Sequence, residues 1–503
     1  MKTLFKPTSY KKGTTLAVSA TFVWKVISFA NALLLALYFG TSRQADIYFY
    51  LIMLTGFTVA FLQRLNQTIL IPEAMFLTAK NPQEGQKFST MWLYIYVILG
   101  SVISLIGTCW PEQIWEVLSH FKGNVLAQDK TLLMCASWVL ALQIITYYLT
   151  ALAEMYKFFK IAWLGILNAL CPLVGLLLGG SRLGIISMLY GFLVANILQI
   201  IILLTLLKIT QNWNFIPAWM ALRPKTYRNM FTGQTLAILD MINGWLPLYL
   251  ISAMGPGLIS ALNYCKQLTD STTEVFTARA ANIAKIEMTE QCAKEQFSNA
   301  NNTFIQTNHI LLILLVPLVI FSCFFAPQIV DLFFKRGQFT VQAAHNTVLF
   351  LRPMLLVLLL TIPGYIQNSA LAAKQKIKEW FPYALISGLI SIGLMCYFIP
   401  RYGAFAYPYI LGIGLLIGFV LNAVLFKKHL PFLQYIKPFL LMLRLAWLAG
   451  LALVPTVLLS YILPTNYWVQ IGICGPLFVA LYAIIIYKSK DANQLVNFFQ
   501  NNF

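Results

Sequence analysis

A chain of 503 residues with 59% hydrophobic and 10% charged side chains, and a mean hydropathy of +0.74, lies outside the range of soluble domains, which are roughly half apolar and about a quarter charged. A formal net charge of +19 would suggest nucleic acid in a soluble protein, but in so apolar a chain membrane topology is the better source of it. Fourteen helices of ~20 to 22 residues would leave only short connections, which excludes a sizeable soluble domain and with it an enzyme whose catalytic groups sit outside the bilayer.

The apolar runs predict an all-α integral membrane protein of about fourteen transmembrane helices, at 15–39, 46–72, 90–110, 132–156, 158–180, 183–207, 229–252, 258–282, 305–333, 346–372, 380–400, 403–426, 435–462 and 467–487. The first run is too long for a signal peptide and lacks a small-residue cleavage site, so it reads as a first membrane helix. It carries Lys25 about ten residues in, with Ser28 and Asn31 on roughly the same face. A cation at that depth needs a partner or a wet cavity, so Lys25 either ties helices together or lines a cavity. The second span opens with Asp46, favoured there by the helix dipole or by a functional role, and has Arg64 within snorkelling reach of the inner surface. Glu112 and Glu116, in the longest outer loop, read as a solvated amphipathic face.

A polar interruption at about 208–228, with Pro217 and Pro224, divides six spans from eight, and a second lies at about 283–304. The seventh span bears Gln234, Asp240 and Asn243, a weak echo of the polar first span. The eighth is the most polar, with Lys266, Asp270 and Glu274 spaced by four and therefore stacked down one face, beside Asn263, Gln267 and Arg279. Such a stripe must face protein or water, as an ion-pair ladder or as the wall of a hydrated path. These breaks predict an N-terminal six-helix lobe at 1–208, a second at 209–430, and two additional helices with a cytoplasmic tail at 431–503. With the N-terminus inside, 22 of the 35 basic residues fall on inner segments, 7 on outer ones and 6 within spans, which puts both termini in the cytoplasm. The 8 cysteines and 4 histidines are scattered and form no metal or disulfide pattern.

Four segments occur in consistent order: YFGTSRQADIYF (38–49), GPGLISALNYCKQL (255–268), DLFFKRGQFT (331–340) and FLRPMLLVLL (350–359). Together they resemble the MviN family, the lipid II flippases of the multidrug/oligosaccharidyl-lipid/polysaccharide exporter superfamily. The resemblance implies two six-helix lobes around a cationic cavity, with two extra helices forming a groove for a polyprenyl tail. It implies that Lys25 replaces a first-helix arginine, and that Asn31 and Gln267 stand at two further arginine positions, with Lys266 beside the latter. The Arg-Arg and Glu usual in the family's second helix are not reproduced, Arg64 being only nearby, and the acids of its sodium site on helices seven and eleven are not reproduced either.

The function so implied is transport of an undecaprenyl-pyrophosphate-linked glycan, lipid II, from the inner to the outer leaflet of the bacterial inner membrane by alternating access. The altered arginine positions keep an exopolysaccharide or O-antigen repeat unit as the alternative cargo, and a multidrug exporter as a more distant one. Lys25, Asn31, Arg64, Lys266 and Gln267 would contact substrate, while Asp46, Asp270 and Glu274 would gate or balance charge. The expected partners are the lipid-linked glycan and membrane lipids, without nucleic acid, cofactor or metal, and the expected active form is a monomer with no enzymatic activity.

Overall fold

The computed structural model describes residues 10–121, 123–220, 224–272, 277–374, 377–464 and 466–488. Every regular element among them is helical, as an apolar solvent demands, because a helix satisfies its own backbone N–H and C=O groups. The chain divides into two compact units, Met1–Ser260 and Ala261–Phe503.

In the first unit, α1 (Tyr10–Phe39) leads through a short turn into α2 (Arg43–Leu65), whose N-terminus is capped where Ser42 Oγ accepts from the Ala45 amide at 3.3 Å. A π-helical turn at Asn66–Leu70 carries α2 into α3 (Ile71–Lys80), so the predicted second span extends further than 72. Asn81 caps α4 (Pro82–Cys109), with Pro82 supplying the preset φ of a first helical residue. Then come α5 (Pro111–Leu118), α6 (Gly123–Leu126), α7 (Lys130–Met155), α8 (Leu167–Leu183), α9 (Ile186–Gln211) and α10 (Pro224–Ile251). Lipid provides no hydrophobic drive for these helices to associate, so close packing and interhelical hydrogen bonds must hold them. Both are visible. A Cβ on Gly191 of α9 would lie 2.4 Å from the Cys171 carbonyl oxygen of α8, so the two backbones touch only because that residue is glycine. Between α4, α7 and the segment after α9, Tyr148 Oη donates to the Ser89 carbonyl at 2.9 Å and the buried Trp213 Nε1 donates to Thr90 Oγ1 at 2.7 Å.

The second unit takes in most of α11 (Leu258–Thr272), then α12 (Ala278–Ala293), α13 (Phe297–Phe324), α14 (Ala326–Phe333), α15 (Val341–Ala373), α16 (Ile377–Tyr402), α17 (Ala406–His429), α18 (Lys437–Ile462) and α19 (Tyr467–Lys488). The run expected as one span at 305–333 is two helices: α13 stops at Phe324 and the chain turns at Phe325 into α14, where Pro327 suits a first turn but could not continue the preceding helix. α13 packs against α12, α15 and α18, and α18 packs against α19.

Twelve helices among the described residues are long and apolar enough to cross a membrane. The two further spans expected at 229–252 and 258–282 fall on α10, α11 and α12, which are helical but lie outside those twelve. Their polar residues lower the apolar signal of both segments, and residues 273–276, inside the second, are not among those described.

Candidate functional site

Asp46 sits in the first turn of α2 and is 2% exposed. Its Oδ1 accepts from the Ser260 amide at 2.7 Å and from Ser260 Oγ at 2.5 Å, and its Oδ2 accepts from the Gly257 amide. These donors lie at the start of α11, where amides without helical partners and the helix dipole favour an anion. Asp46 therefore caps a helix more than two hundred residues away in sequence. Gly257 makes the approach possible, with φ of +86° and a Cβ position only 3.1 Å from the Thr41 carbonyl oxygen.

Arg64, in the last turn of α2, forms an ion pair with Asp240 of α10, the two side chains remaining 40% and 66% exposed. The α2–α10 seam continues through Phe57, whose ring occupies the place a Cβ on Gly244 would take, to Tyr50 and Trp245. Trp245 Nε1 donates to Tyr50 Oη at 3.1 Å and to the Leu118 carbonyl at 3.0 Å. The first unit thus holds a neutral, hydrogen-bonded junction at one end of this seam and an open ion pair at the other.

The remaining sequence-predicted residues are distributed over both units. Lys25 is half-buried in α1, with Nζ 4.9 Å from the centroid of the Trp24 ring, inside the apolar stretch Ser19–Phe39. Asn31 is 8% exposed; its Nδ2 donates to the Ala169 carbonyl of α8 at 2.7 Å, while its Oδ1 is buried without a hydrogen bond. In the second unit Lys266 and Gln267 are half-buried on α11, and Lys266 Nζ lies 5.8 Å from the Tyr407 ring centroid of α17. Asp270 is exposed one helical turn beyond Lys266, on the same face. Glu274 lies outside the described residues.

Three partners escaped the sequence reading: Asp240 as the counter-ion of Arg64, the Gly257–Ser260 amides as the receptor of Asp46, and Tyr407 beneath Lys266. The echo that singled out Asp240 hinted at the first, but no local signal links residues 176 positions apart. Among the described residues no cluster of three or more His, Cys, Asp or Glu is placed to hold a metal ion. Taken by itself, Lys25 on α1 is a cation inside an apolar span, the kind of group that can replace the hydration of an anion.

The fold, a polytopic helical chain with polar and charged groups lodged in its spans, recurs in solved membrane transporters. A solved inward-facing MATE family transporter of the MOP superfamily matches 80% of this chain and 94% of its own length, with a TM-score of 0.66 at 12% identity. A lipid II flippase MurJ solved in an inward closed conformation matches 94% of this chain and 99% of its own, with a TM-score of 0.76 at 19% identity. In sequence, a probable lipid II flippase MurJ from Borreliella burgdorferi is 21% identical over 402 residues, spanning 78% of this chain and 79% of that protein. The family model for lipid II flippase MurJ matches residues 35–476, and the chain belongs to that family.

Proposed function

We propose that the protein carries lipid II, an undecaprenyl-pyrophosphate-linked precursor of peptidoglycan, from the inner to the outer leaflet of the bacterial cytoplasmic membrane by alternating access. Membership of the MurJ family over residues 35–476 supports the activity, and the observation that carries its chemistry is the half-buried Lys25 inside an apolar span. A lysine there costs ~2.5 to 3.5 kcal/mol on insertion scales, and a pyrophosphate is the kind of anion whose binding offsets that cost. Lys25, Lys266 and Arg64 serve the headgroup as cations; Asn31 and Gln267 supply neutral contacts to the substrate. Asp46, Asp270 and Glu274 gate the path or balance charge.

In this reading the working parts are the lobes 1–208 and 209–430, with 431–503 serving the polyprenyl tail. Both termini are cytoplasmic, the working unit is a monomer, and the protein neither performs chemistry on its cargo nor binds nucleic acid. Asn31 and Gln267, neutral where the motif resemblance implies arginines, favour a second cargo, a lipid-linked exopolysaccharide or O-antigen repeat unit. The test is outer-leaflet accessibility of each glycan-lipid in cells depleted of their own flippase, normalised to protein level. Lys25→Arg is expected to retain transport, because guanidinium also binds phosphate, while Lys25→Ala and Lys25→Glu lose it by at least about tenfold. Full transport by Lys25→Glu would end the cationic mechanism, and restored repeat-unit export without lipid II transport would select the second cargo.

A further inference from the structure

We propose that the first unit carries a binding site for one anionic phospholipid, set between α4, α7 and α9 with the phosphate at Lys208. A groove of about 800 Å³ runs there, walled by Val97, Ile145, Ile200 and Leu204 and mostly apolar, with Tyr94 and Thr205 the polar residues besides Lys208. From Ile200 to Ile209 it follows nine residues of α9, or ~14 Å at the helical rise. That is close to the depth of one leaflet of hydrocarbon, about half of ~30 Å. The exposed Lys208 stands at its mouth in the last turn of α9, and no acidic side chain pairs with it among the described residues.

The mouth is built. After α9 the chain turns through two non-glycine residues with positive φ, Asn212 at +48° and Phe215 at +45°, a conformation costly enough that neighbouring contacts must hold it. They do: Gln86 Nε2 donates to the Gln211 carbonyl at 2.9 Å, and Tyr94 Oη donates to the Phe215 carbonyl at 3.0 Å. The buried Trp213 stacks on Phe215 with ring centroids 5.6 Å apart. The outcome is that Phe215 forms the lip of the groove, and the same segment presents Ile216 and Trp219, 68% and 74% exposed, as apolar anchors suited to a membrane interface.

An apolar slot one leaflet deep, ending at a single cation and an aromatic lip, fits an acyl chain joined to a phosphodiester. It does not fit the cargo of the proposed transport. A polyprenyl chain is much longer than one leaflet, and a pyrophosphate carries more charge than one lysine answers. Basic pockets of this kind on the cytoplasmic side recognise anionic headgroups, and the assignment to the inner leaflet rests on the orientation proposed above.

Native mass spectrometry of the full-length protein tests the site without measuring transport, so the site and the flippase reading can fail separately. The probes are phosphatidylglycerol, phosphatidylcholine with the same chains, and undecaprenyl phosphate. One phosphatidylglycerol is expected to be retained over phosphatidylcholine, and Lys208→Ala should reduce that retention about fivefold. Val97→Trp, at a position already 37% exposed, should fill the groove and expel either lipid. Equal retention of the two phospholipids, an unchanged Lys208→Ala, unchanged retention of phosphatidylglycerol by Val97→Trp, or its displacement from the wild type by an equal concentration of undecaprenyl phosphate would each overturn the site.

Discussion

The carboxylate of Asp46 is almost wholly withdrawn from solvent, yet both of its oxygens accept hydrogen bonds from the start of α11. Every donor around it is an N–H or O–H, so the site is built for an acceptor at both oxygens. Asp46→Asn puts an NH₂ group against one of those donors and leaves it unpaired. The expected loss is ~1.5 to 3 kcal/mol of stability, the range for hydrogen bonds to a charged group, measured as a shift in unfolding of the detergent-solubilised protein. An unaltered unfolding curve would show that the junction does not depend on the charge. Arg64 and Asp240 are the opposite case, because both are substantially exposed and a pair of that kind contributes only ~0 to 1 kcal/mol.

Among the elements, α11 joins these themes. Its first turn receives Asp46, its middle is buried at Ala261, Leu262, Tyr264 and Cys265, and its other face shows Lys266 and Asp270. A helix apolar on one face and charged on the other, inside a membrane protein, must put the charged face against protein or water. In a cysteine-free background, cysteines placed at Lys266 and Asp270 are expected to react with a small hydrophilic thiol reagent, while one at the buried Ala261, off that stripe, stays inert. Inertness at all three positions would make the stripe a structural ladder and remove Lys266 from the substrate path.

For the molecule as a whole, direction of transport depends on orientation, and orientation follows from where the basic residues fall. Cysteines at Lys80 and Lys427 are expected to be shielded from an impermeant reagent in intact cells, and cysteines at Gln128 and Gln338 to be labelled. All four positions are exposed, so access to the reagent reports the side of the membrane and not burial. The reverse pattern would invert the topology and with it the proposed direction.

Membrane insertion, the helical class and the family were legible in the sequence, since each depends on local composition or short motifs. A run such as Ile186–Gln211 has no stable state in lipid other than a helix, and YFGTSRQADIYF carries its resemblance wherever its neighbours lie. Element ends were less legible: the turn at Phe325 interrupts an apolar run that hydropathy alone reads as continuous. The site was legible only in part. Cost at membrane depth identified Lys25, Arg64 and Lys266 as residues needing an explanation, because desolvation is a property of each residue and its own span. Their partners were decided by the tertiary structure alone. Asp240 meets Arg64, and Ser260 meets Asp46, because helix packing closes 176 and 214 residues of chain onto contacts of a few ångströms, and nothing in the intervening sequence encodes which charge will find which.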